Sequence, residues 1–198
     1  MIKLTQIRDN MESRITNPFT SILNKIGITP NALTLIGLTV SLVAAYIIAI
    51  GHFFIGGILV LLSGLFDLLD GALARFNKQT TSFGAILDST VDRISEAAIF
   101  CGLLFYFMSK GSNLEISLVF FVIIGSFLVS YVRARAEGLK LECKVGWFTR
   151  AERVVVLTIG LLLNQIFIVL LILAVFVYVT VFQRLYYLRK TYKKGATL

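Results

Sequence analysis

The chain has 198 residues, enough for one domain, and 57% of them are hydrophobic against 15% charged, a balance that excludes a soluble globule because so little polar surface could not cover so much apolar side chain. A net charge of +8 could suggest a nucleic-acid partner, but the charges gather at the ends of apolar runs and argue against one. The two cysteines, Cys101 and Cys143, have no metal-ligand spacing, and no disulfide is expected.

Residues 2–26 carry Ile2, Leu4, Ile7, Met11, Ile15, Phe19, Ile22 and Ile26 at helical spacing among charged residues. This pattern predicts an amphipathic helix lying along the membrane interface, kinked or broken at Pro18. No short apolar stretch is followed by a small-residue cleavage site, so no cleavable signal peptide is expected. Thr29-Pro30 marks a helix start, with Thr29 as N-cap and Pro30 in the first turn.

Apolar runs then predict spans over 31–50, 53–76, 83–109, 114–137, 148–163 and 165–190. The expected fold is an all-α membrane protein: six transmembrane helices after an interfacial helix, in one domain over 1–198 with the bundle at 31–190. Of 19 Lys and Arg, only Lys110 falls on the side opposite the termini. That asymmetry predicts a multi-pass protein of the inner or plasma membrane with both termini cytoplasmic.

Charged residues inside a span are costly and mark function. Asp67 and Asp70 lie three apart at the end of the second span, and Asp88 and Asp92 lie four apart near the start of the third. Each spacing puts its pair on one helix face. A short loop joins the two helices, so they are expected to be antiparallel neighbours whose four carboxylates converge just below the cytoplasmic interface. Four such groups repel unless protonated or bridged by cations. An all-oxygen set without His or Cys favours Mg²⁺ or Mn²⁺ over zinc, and two ions suit the count. Gly71, Ala74 and Gly84 leave room beside the acids, and Arg75 can pair with a phosphate.

From Asp67 to Asp92 the sequence reads D-x-x-D-G-x-x-A-R-x8-G-x3-D-x3-D. This resembles the signature of the CDP-alcohol phosphotransferase family at every fixed position. The resemblance implies an enzyme that transfers a phosphatidyl-type group from CDP-diacylglycerol or CDP-archaeol to an alcohol and releases CMP. It implies Asp67, Asp70 and Asp88 as metal ligands, and Asp92 as both near the metals and the catalytic base. Gly71, Ala74, Arg75 and Gly84, with Asn31 and Thr34 and the carboxylates Asp67 and Asp70, would bind the CDP-lipid. It also implies a homodimer.

A basic cluster bears on the acceptor. Ser130-Tyr131-Val132-Arg133-Ala134-Arg135 closes the fourth span, Arg150-Ala151-Glu152-Arg153 opens the fifth, and Arg184 and Arg189 lie in the last. A neutral acceptor would not need such a pocket, but a phosphorylated one would. The pattern is similar to the phosphatidylinositol-phosphate and archaetidylinositol-phosphate synthase branch, which implies inositol phosphate as acceptor held by Ser130, Arg133, Arg153 and Arg184 or Arg189. Glycerol 3-phosphate is the alternative acceptor. Taken singly, Arg133, Arg135, Arg150 and Arg153 are equally explained as topology determinants. Glu152 is expected to pair with a neighbouring arginine, Glu96 to make a structural contact with Arg93, and His52 to sit in a solvated outer turn. Trp147, Tyr186, Tyr187 and Tyr192 are read as interfacial anchors. A divalent-cation transporter is the rival from another class, but it would spread its acidic residues through the membrane depth.

Overall fold

The computed structural model of the chain describes residues 20–77 and 81–195. Most of the expected interfacial helix, including Pro18, lies outside them; residues 20–26 are helical. Six further helices follow among the described residues: α1 (Pro30–Ala49), α2 (Phe53–Phe76), α3 (Ser82–Lys110), α4 (Asn113–Gly138), α5 (Arg150–Leu162) and α6 (Ile166–Gly195). The first four begin and end within one residue of the predicted spans. The α1 start is built as its sequence indicates: Pro30 opens the helix, and the Thr29 side chain accepts a hydrogen bond from the Ala32 amide at 3.3 Å. Thr81 caps α3 in the same way, accepting from the Gly84 amide at 2.9 Å.

The expectation of six membrane spans is not met. Four helices, α1, α2, α4 and α6, are long and apolar enough to cross a bilayer. α3 has the length, at 29 residues, but carries Asp88, Asp92, Arg93 and Glu96 in its first half. α5 has only 13 residues, about 20 Å at 1.5 Å per residue, against a hydrocarbon layer of about 30 Å. The sequence pattern misjudges both because it weighs apolar content above the charges within α3 and the length of α5.

Packing differs from expectation too. α1 packs along both α2 and α3, while α2 and α3 have little direct contact. α4 pairs with α6, and α5 lies between α2 and α6. The core is a continuous apolar cluster that includes Ile48, Val60, Phe100, Leu103, Leu161, Leu170 and Leu173. Outside it, Leu35, Phe54, Leu61, Phe105, Phe120, Val175 and Phe182 are exposed along the helices. Only 28–39% of the residues in the four apolar windows are buried within the chain, so their outer faces suit lipid.

Close helix contacts rest on small residues, as membrane packing favours. A Cβ added at Gly102 of α3 would lie 2.3 Å from the Ala45 carbonyl oxygen of α1, a backbone atom that cannot step aside. At Gly64 of α2 an added Cβ meets nothing within 4 Å. Gly102→Ala is therefore expected to lower stability by about 1–3 kcal/mol through forced separation of α1 and α3. Gly64→Ala should stay within about 0.5 kcal/mol of wild type. Thermal unfolding of the two purified variants in detergent checks the contrast, and equal melting temperatures would contradict this packing.

Candidate active site

The acidic residues of α2 and α3 meet although their helices barely touch, because both lean on α1. Asp67, Asp70 and Asp88 each offer a carboxylate oxygen, and these oxygens lie within 4.8 Å of one another. Asp70 is buried at 4% exposure, and Thr34 of α1 donates to its Oδ2 at 2.6 Å. α1 thus supplies a polar partner as well as a support. Three converging carboxylates with oxygen donors only fit a hard divalent cation.

Asp92 adjoins this group at Asp67, and an arginine bridges the two. Its Oδ1 lies 2.7 Å from Arg150 Nη1, and the same nitrogen lies 2.7 Å from Asp67 Oδ2. Sequence reasoning placed Arg150 in the basic cluster, with a topology role as its alternative, but not among the residues named for the acceptor. Its spacing of three from Arg153 at a helix start puts both on one face, but nothing in the sequence shows that this face turns toward the aspartates.

Two cavities flank the acids. One, of about 180 Å³, is lined by Asn31, Thr34, Asp70, Gly71, Ala74, Arg75, Gly84 and Asp88, among others. It gathers all but one of the residues expected around the CDP-lipid; Asp67 is not on its wall. The other, of about 280 Å³, is lined by Asp88, Asp92, Arg93, Ser130, Arg133, Arg150, Arg153 and Arg184, with Glu137 and Thr149 also on its wall. Asp88 is the residue common to both.

The basic residues are not equivalent. Arg153, 1% exposed, is held by Glu96 through two hydrogen bonds of 2.7 and 2.8 Å, with a third to the Phe148 carbonyl at 3.3 Å. Glu96 therefore pairs with Arg153 and not with Arg93, whose guanidinium donates to the Ser89 carbonyl in its own helix. Arg184 is buried, and donates to the Val145 carbonyl at 2.9 Å and the Val129 carbonyl at 2.5 Å. Arg133 is half exposed beside Glu137 at 2.8 Å, one turn away. Arg189 is exposed and is not among the residues lining the cavity, so of the two candidates in the last helix it is Arg184 that lies there. Glu152 accepts from the Thr149 hydroxyl at the start of α5, a capping contact in place of the expected arginine pair.

Apolar helices that expose their sides, with a charged site gathered at one end of the bundle, define an integral membrane protein. Residues 27–182 match the CDP-alcohol phosphatidyltransferase family. The chain is 38% identical over 186 residues to the phosphatidylinositol phosphate synthase of Mycobacteroides abscessus, covering 89% of this chain and 84% of the relative. It is 36% identical over 174 residues to the archaetidylinositol phosphate synthase of Pyrococcus horikoshii, covering 87% and 90%. Among solved structures it is similar to the phosphatidylinositol phosphate synthase of Mycobacterium tuberculosis. The form with CDP-DAG bound aligns at a TM-score of 0.82 and 34% identity over 87% of this chain and 92% of that one. The form with manganese and citrate aligns at 0.81 and 34%, over 86% and 87%. The chain belongs to the CDP-alcohol phosphatidyltransferase family and is a transferase of phospholipid biosynthesis, which displaces the transporter alternative.

The Arg153–Glu96 pair generates a stability prediction. Removing one member of a buried ion pair strands the other charge, at a cost of about 3–5 kcal/mol. Glu96→Ala should lose that much in an unfolding titration in detergent. A loss below about 1 kcal/mol would show that water reaches the pair.

Proposed function

We propose that this protein transfers a phosphatidyl or archaetidyl group from a CDP-linked lipid to a hydroxyl of inositol phosphate, releasing CMP. The observation that carries the proposal is the pair of cavities meeting at Asp88: one small-residue-lined with Arg75 at its wall, the other ringed by arginines. The first suits the CDP headgroup, whose pyrophosphate Arg75 can hold. The second suits an acceptor that itself carries a phosphate. Similarity to synthases named for both lipid types supports a diacylglycerol- or archaeol-based donor.

Asp67, Asp70 and Asp88 would hold divalent metal, Mg²⁺ or Mn²⁺, with a pair of ions as our reading. Bound there, metal supplies charge neutralisation for the donor pyrophosphate and the departing CMP. Asp92 faces the arginine-ringed cavity and is assigned as the base. The acceptor oxygen bonds to the phosphorus that carries the lipid, the P–O bond to CMP breaks, and the hydroxyl proton passes to Asp92. Ser130, Arg133, Arg153 and Arg184 surround the acceptor in this reading. Of these, Arg133 is the most available to a ligand, because Arg153 and Arg184 are already engaged within the protein.

Among the described residues, the basic side chains concentrate at the bundle end that holds the acids, with Lys110 at the other. This supports a cytoplasmic site and cytoplasmic termini. A homodimer is part of the reading and rests on the family resemblance.

The test supplies purified protein with CDP-diacylglycerol or CDP-archaeol and Mg²⁺, and measures CMP released with inositol phosphate, glycerol 3-phosphate, serine or free inositol. Release is expected with inositol phosphate and not with free inositol, and should stop when EDTA removes the metal. Preference for glycerol 3-phosphate would reassign the acceptor, and activity surviving EDTA would remove the metal from the reaction. Arg133→Ala is expected to raise the acceptor KM about tenfold, roughly 1.4 kcal/mol of lost binding, with the CDP-lipid KM unchanged. The opposite split would move Arg133 to the donor side.

A further inference from the structure

The wall of the arginine-ringed cavity carries Asp88, Asp92 and Glu137, and the proposed reaction uses only the two aspartates. Glu137 belongs to the wall by its place on α4. Ser130, Arg133, Ala134 and Glu137 all line the cavity, and their spacing makes one face of that helix.

Local physics gives this carboxylate little reason to be there. Glu137 is the last residue but one of α4, where the negative end of the helix dipole disfavours an acid. Its partner Arg133 lies one turn earlier at 2.8 Å, an order of cation and acid that runs against the dipole. The two side chains are 51% and 54% exposed, so their pairing adds little to the stability of the helix. A cavity that had only to hold phosphate would also bind it better without a negative group on its wall. The carboxylate is explained once the ligand is more than a phosphate.

A carboxylate is an acceptor on both oxygens and suits the hydroxyls of a polyol. Arg133 meets Glu137 Oε1 through Nε alone, which leaves the two Nη nitrogens for a phosphate and Glu137 Oε2 for a hydroxyl. We propose that Glu137 is a specificity-determining residue that accepts hydrogen bonds from the hydroxyls of a phosphorylated ring polyol, while Arg133 beside it takes the phosphate. Glycerol 3-phosphate carries the same phosphate but has a single hydroxyl left beside the one that reacts. Inositol phosphate presents several on a rigid ring. The inference rests on the proposed function and names the group that separates its two acceptors.

The test measures binding of labelled inositol phosphate and labelled glycerol 3-phosphate to the detergent-purified protein by equilibrium dialysis, alongside CMP release. Glu137→Ala is expected to weaken inositol phosphate about tenfold, as for one lost hydrogen bond to a charged group. Glycerol 3-phosphate should change less than about twofold, because lost hydroxyl contact and relieved repulsion of its phosphate oppose each other. Glu137→Gln keeps an oxygen for the hydroxyls and should bind inositol phosphate between wild type and the alanine variant. Equal weakening of both ligands would show that Glu137 only orients Arg133 toward phosphate, and unchanged binding of inositol phosphate would make it a bystander. Either result overturns the proposal. If the alanine variant does not fold, the glutamine variant carries the same comparison, with loss expected for inositol phosphate and not for glycerol 3-phosphate. The two readings fail separately. A wild-type protein that releases no CMP with inositol phosphate sinks the proposed function, whereas normal release with unselective variants removes only the role of Glu137.

Discussion

Repulsion between carboxylates held close together in an apolar bundle governs this structure. Charges within 4.8 Å of one another, at an effective dielectric constant of about 20, repel by at least roughly 3 kcal/mol per pair. A fold that brings Asp67, Asp70 and Asp88 to one place must provide something in return. Part of it is internal: Thr34 donates to Asp70, and Arg150 bridges Asp67 to Asp92. The rest is an appetite for external cations, and that appetite is what a phosphoryl-transfer site uses.

α1 is the element that makes the convergence possible. It lies against both acid-bearing helices and keeps them in register while they hardly meet. Its small residues set the distances. Ser41 hydrogen-bonds to Ser63 of α2 at 2.6 Å, and the Ala45 backbone fits against Gly102 of α3. The Thr34 contact with Asp70 comes from the same helix, so support and electrostatic relief share one element.

The aspartate constellation and the first four helix boundaries are legible in the sequence because they depend on local spacing. Asp67 and Asp70 must share a face, and Thr29-Pro30 must start a helix, whatever the rest of the chain does. The arginine contacts are not local. Arg150 reaches Asp67 across 83 positions and Arg153 reaches Glu96 across 57, so their partners follow from tertiary packing that no periodicity encodes. The neighbouring candidates Arg93 and Glu152 are consumed by local bonds to Ser89 and Thr149, which sequence reasoning had replaced with plausible charge pairs. The span count erred for a different reason. Charges interrupt the apolar run of α3 in its first half and α5 is only 13 residues long, and a reading of apolar content gives neither its due weight.

The two cavities have a single wall residue in common, Asp88. One cavity for the CDP-lipid and the other for the acceptor, as proposed, would let both reactants be resident at once, so neither has to vacate before the other arrives. On the proposed reading the lipid portion then passes from one chamber to the other in one displacement. The protein would then have no need to carry it as a covalent adduct in between, and the same reading carries with it the kinetics of a ternary complex.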